Sequence, residues 1–102
     1  MFIRMLNFQT QENKKTDVVT IMDRMMPKIR SFKGCKDCLF IMQESDDHYS
    51  LLVFWNSKED AEAAAIFIGP QLIPALNKIS TENVVPRLYE VYQPASALQG
   101  IV

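Results

Sequence analysis

The sequence predicts an α+β domain of the ferredoxin-like kind: a four-stranded antiparallel sheet with helices on one face, in the order strand, helix, strand, strand, helix, strand. Three observations carry this expectation. Runs rich in apolar, β-branched and aromatic residues stand at 2–8, 38–43, 49–55 and 84–92. The first two runs, and the last two, are separated by stretches whose apolar residues recur at helical spacing. Finally, Leu39 to Met42 and Leu51 to Trp55 are unbroken apolar runs, so successive side chains on both faces of the central hairpin are hydrophobic. Two helices cover one face. The other face would leave a soluble monomer with too large an apolar patch, so the sheet is expected to meet a second copy in a twofold homodimer. The alternative is that the C-terminal tail or a distorted helix arrangement covers it within one chain.

Phe2, Ile3, Met5, Leu6 and Phe8 make the first strand, closed by the polar run Gln9 to Lys15. From Thr16, the residues Val18, Ile21, Met22, Met25, Ile29 and Phe32 share one helical face, and Asp23, Lys28 and Lys33 suit the wet side. Pro27 predicts a kink or an early end in this helix, with Gly34 as the stop beyond its last turn. Cys38 to Gln43 and Tyr49 to Trp55 form an antiparallel hairpin about the polar turn Glu44 to Asp47. Ser57, followed three residues later by Asp60, opens the second helix as a capping-box-like pair. Gly69 and Pro70 are expected to interrupt it, with Leu72, Ile73, Leu76 and Ile79 in a second short helical piece around Pro74. Val84 to Tyr92 gives the fourth strand, and Pro86 places its start at an edge or bulge.

A chain of 102 residues fits one domain, assigned to residues 1–94 with 95–102 as a tail. Its 48% hydrophobic and 23% charged residues match an ordinary globular composition. A net charge of −1 without clustered Lys and Arg argues against a nucleic-acid or anionic-membrane partner. The apolar opening is short and interrupted by Arg4, unlike a signal peptide or membrane span. Cys35 and Cys38 are spaced as free thiols or a local pair rather than a disulfide framework, which agrees with the reducing cytoplasm.

The residues Phe54-Trp55-Asn56-Ser57-Lys58-Glu59-Asp60-Ala61 resemble the Trp-x-Ser strand-to-helix junction of the antibiotic biosynthesis monooxygenase superfamily. The first strand ending near Asn7 and the helix followed by Phe32-Lys33-Gly34 extend the resemblance over about residues 1–94. It implies a dimeric α/β barrel with a pocket in each protomer between sheet and helices. In such pockets some relatives oxidise aromatic or quinol-like substrates with dioxygen and without metal or flavin. Other relatives degrade haem with an asparagine on the first strand, a tryptophan in the second helix and a histidine further along. Asn7 matches the first, but Ala64 and Pro74 stand at the other two positions, so haem degradation by that route is not expected.

Asn7, an amide in an apolar strand, is the candidate catalytic residue, able to orient an enol or phenol oxygen in a dry pocket. The plainer account is a strand-end amide satisfied by backbone. Alternation puts Met5 and Ile3 on the Asn7 face, and Met22, Met25 and Phe67 are the helical residues expected to meet it. Met5, Met22, Met25, Phe67 and Trp55 are therefore the candidate substrate-binding residues, although methionines also fill irregular cores and Trp55 suits core or interface packing. His48 beside the hairpin turn reads as solvated. The Cys35-Lys36-Asp37-Cys38 motif precedes a strand, not the helix N-terminus that lowers a thiol pKa, and one pair falls short of a zinc set without a second copy. Neither cofactor nor metal is expected. These features point to a cofactor-independent monooxygenase acting on a small aromatic, quinol or polyketide-like substrate. The competing reading is a non-catalytic dimeric protein that binds a small hydrophobic ligand or serves regulation.

Overall fold

A computed structural model of the chain describes residues 1–44 and 46–94; the tail at 95–102 and Ser45 in the hairpin turn lie outside the described residues. The elements are β1 (Phe2–Gln9), α1 (Lys15–Arg30), β2 (Cys35–Met42), β3 (His48–Trp55), α2 (Lys58–Asn77) and β4 (Arg87–Glu90). They form the expected βαββαβ order, in one antiparallel sheet with strand order β2-β3-β1-β4. β1 and β3 pair along their whole length, from Phe2 opposite Trp55 to Gln9 opposite His48.

Alternation sorts the side chains. Leu6 and Phe8 of β1, Cys38 of β2, and Tyr49, Leu51, Val53 and Trp55 of β3 are buried. They pack with Val18, Met22, Met25 and Ile29 of α1 and with Ala61, Ala64, Leu72 and Leu76 of α2 in a single core. Phe8, Phe40 and Tyr49 stack within it, with centroids 5.4 Å apart for Phe8 and Tyr49 and 5.8 Å for Phe40 and Tyr49. The opposite face carries Ile3, Met5, Leu52 and Phe54, with Leu39, Ile41 and Tyr89 respectively 43%, 55% and 45% exposed. The second apolar face read from the two unbroken runs is therefore present.

The elements depart from expectation in four places. β2 begins at Cys35, because a bulge between Cys35 and Asp37 takes the polar Lys36 into the strand. β4 is confined to Arg87–Glu90, directly after Pro86, whose nitrogen cannot join the ladder. α1 continues through Pro27 to Arg30, so the early end, one of the two outcomes expected there, is not found. Pro27 and Asp23, whose carbonyl loses its partner, are both exposed, so water can satisfy the freed group. α2 likewise runs unbroken through Gly69, Pro70 and Pro74. Its Ala61, Ala64, Ile68, Leu72 and Leu76 stay on the core side throughout, while Ile66, Pro70 and Pro74 are exposed. Continuous burial on one side thus outweighs the hydrogen bonds lost on the other.

The junctions are specific. The Ser57 hydroxyl accepts from the Asp60 backbone N–H at 3.1 Å, capping α2 as its sequence indicates. Gly34 has φ +84°, and a Cβ there would collide with the Asp60 carboxylate. Its carbonyl accepts from the Asn56 N–H at 2.8 Å, tying the start of β2 to the β3–α2 junction.

Candidate functional site

Between the core face of the sheet and α2 lies a partly open cavity of about 130 Å³. Leu6, Leu51, Val53 and Trp55 form its floor, and Ala61, Ala65, Ile68, Gly69, Leu72 and Ile73 line it from α2. Ile29 of α1 and Pro86, just before β4, complete the hydrocarbon wall. The space follows from small residues on α2: alanines at 61 and 65 and the glycine at 69 stand where larger side chains would reach the sheet. Apolar cavities of roughly 150 Å³ accept a benzene ring, so this one suits a single ring.

Among the described residues Arg4 is the one charged residue in that lining. It occupies an even position of β1, opposite Val53, and so shares the core face with Leu6 and Phe8. Trp55 lies two residues beyond Val53 on the neighbouring strand, making Arg4 and Trp55 diagonal neighbours on one face, a relation that typically spans roughly 7–8 Å. Desolvation lowers the Arg4 pKa from its ordinary value, against a smaller opposing influence of Glu62. Glu62 lies 3.8 Å from Lys58, and among the described residues Arg4 has no ion pair or side-chain hydrogen bond. Trp55 is only 2% exposed, and its indole N–H has no partner among the described residues. An unmatched buried donor of this kind costs about 1–3 kcal/mol.

Of the residues singled out in the sequence, Trp55 lines this cavity and the others do not. The expectation that Asn7 and Met5 face Met22, Met25 and Phe67 is incorrect. Leu6 and Phe8 take the core side of β1, so alternation turns Met5 and Asn7 to the far face of the sheet. There the Asn7 amide oxygen accepts from the Ser50 hydroxyl, and its Nδ2 lies 3.4 Å from the Met5 sulfur. The backbone-satisfied amide considered as the plainer account is not what is found either. Met22 and Met25 are buried core residues of α1, and Phe67 is 61% exposed on α2, stacked on Phe32.

His48 is exposed at the hairpin, 3.8 Å from Asp46. Both cysteines are free; burial pushes the Cys38 thiol up to about 11 and raises that of Cys35. Among the described residues, no three His, Cys, Asp or Glu side chains converge as a metal site, and no helix is long and apolar enough to cross a membrane.

Sequence reasoning missed Arg4 and the α2 wall. The signal for Arg4 was present: Phe2, Leu6 and Phe8 share its parity, so a cation there sits on the dry side of the strand. The wall was hidden by reading Gly69 and Pro70 as an interruption that splits the helix in two.

No protein-family model matches the sequence, and no curated protein matches it significantly. Solved structures do match over nearly the whole chain. SnoaB, a cofactor-independent oxygenase from Streptomyces nogalater, superposes with a TM-score of 0.72 at 16% identity, covering 92% of this chain and 96% of its own. The crystal structure of an antibiotic biosynthesis monooxygenase gives a TM-score of 0.78 at 13% identity, covering 91% and 100%. Rv0793 from Mycobacterium tuberculosis gives 0.76 at 13%, covering 93% and 98%. The chain has the fold of the antibiotic biosynthesis monooxygenase structures, as the residues around Trp55 suggested.

Proposed function

We propose that this protein is a cofactor-independent monooxygenase that takes a small aromatic or quinol-type substrate into the cavity between its sheet and α2, acting as a homodimer joined through its sheets. The observation carrying this reading is the apolar, single-ring cavity, in a fold shared with an oxygenase that needs no cofactor. In such chemistry the substrate supplies the reducing electrons. A ring methylene can react as RR′CH2 + O2 → RR′C=O + H2O, with two C–H bonds broken, one oxygen atom in the new carbonyl and the other in water. The protein's part is to hold the substrate in one orientation and keep bulk water from its reactive carbon. The cavity volume favours one ring over a fused polyketide skeleton.

In this reading Trp55 is a substrate contact, while Asn7 and Met5 belong to the surface between two copies. The exposed Leu39, Ile41 and Tyr89 are the apolar centre of that interface. Two free thiols suit a reducing cytoplasm. The second reading, a non-catalytic binder or regulator, is favoured by one fact: among the described residues the cavity wall carries no carboxylate, imidazole or thiol to take a proton from the substrate.

Oxygen consumption measured with monocyclic quinols and phenols separates the two. The enzyme consumes oxygen in proportion to product, and Ala65→Leu, which fills the cavity, abolishes turnover with the circular dichroism unchanged. A binder shows a ligand-dependent rise in melting temperature without oxygen uptake.

A further inference from the structure

We propose that the cavity selects a monocyclic ligand carrying one oxyanion, a ring phenolate or carboxylate, held by the Arg4 guanidinium. This inference rests on the reading of the cavity as the ligand site. It is carried by Arg4, which brings a positive charge to the core face of the sheet and into the cavity lining, where among the described residues it has no ion pair or side-chain hydrogen bond. A guanidinium only donates. What it lacks is an acceptor, and an anionic oxygen is the acceptor that answers it.

The surrounding wall decides the rest of the ligand. Its other lining side chains among the described residues are apolar or aromatic, so the molecule is apolar away from its oxyanion. The volume of about 130 Å³ holds one ring. Desolvation already weighs on the Arg4 charge, and a bound anion would offset that burden where bulk water cannot. For an oxygenase Arg4 would stabilise the electron-rich, deprotonated substrate that reacts with dioxygen, without a side-chain base at the carbon.

Isothermal titration calorimetry tests this with benzoate and 4-nitrophenolate as the anions and benzamide and nitrobenzene as neutral rings of matching shape. The two anions distinguish a carboxylate site from a phenolate site. The expected result is that at least one anion binds roughly tenfold or more tightly than its neutral counterpart, as a charge-assisted bond in a dry site should give. Arg4→Met should bring the pair to within about threefold of each other, and Arg4→Lys should retain part of the preference.

Ala65→Leu, at a half-buried position of the α2 wall, fills part of the cavity while leaving Arg4 in place. Neutral rings that bind as well as the anions, and are lost in Ala65→Leu, would overturn the oxyanion proposal and leave the cavity as the ligand site. An anion preference that survives Arg4→Met would overturn the role of Arg4. Binding undiminished in Ala65→Leu, or no binding by any probe, would overturn both the proposal and the reading beneath it.

Discussion

Gly34 and Asp60 lie 26 positions apart in sequence yet share one point in space, and that contact fixes how the β2 hairpin meets the start of α2. Gly34→Ala adds a positive-φ penalty and a collision with the Asp60 carboxylate, so it should destabilise the fold by about 2 kcal/mol or more in urea unfolding. Cys38 makes a different prediction. Its folded pKa, raised to about 11 from an ordinary 9.0, means that the folded state holds the thiol proton more tightly than the unfolded chain. The associated stability is complete below pH 9 and falls as pH rises toward 11, with Cys35 contributing in the same direction. Alkaline unfolding measured for wild type and Cys38→Ala should show a steeper loss in wild type. At this scale the sequence was only partly readable. The Ser57 cap and Trp55 could be located because local pattern determines them. Asn7 drew attention by its polarity, but its face depends on the parity of Leu6 and Phe8. Arg4, of that same parity, was the informative anomaly.

α2 shows how an element can override its punctuation. Gly69, Pro70 and Pro74 each disfavour a helix interior, yet the core-facing positions from Ala61 to Leu76 hold one helix against the sheet. A Cβ at Gly69 would meet nothing within 4 Å, so Gly69→Ala should raise stability by about 0.5–1 kcal/mol through helix propensity alone, read as a higher urea midpoint. Ser57→Ala should lower it by about 1 kcal/mol through loss of the cap. Periodicity revealed all six elements and the buried face of α1, because those depend on spacing along the chain. It misplaced the ends of β2 and β4, which depend on a bulge, on Pro86 just before β4 and on where β1 begins.

For the whole molecule, the apolar runs of the central hairpin anticipated a sheet hydrophobic on both sides. The structure leaves Leu39 and Ile41 exposed on the side away from the helices. In the homodimer account, Ile41→Lys should convert the protein to a monomer in sedimentation velocity while preserving its circular dichroism. A wild-type monomer would contradict that account. In that account the two faces divide the labour: the outer face would join copies, and the inner face with α2 would enclose the ligand. The chain's single tryptophan permits the most direct test of this division. Its indole N–H resonance can be followed by nuclear magnetic resonance as benzoate or 4-nitrophenolate is added. Ligand binding in the cavity should shift that signal in wild type, but not in Ala65→Leu. A fixed indole signal, with shifts at Asn7 and Ser50 on the far side of the sheet, would instead contradict a ligand site between the sheet and α2.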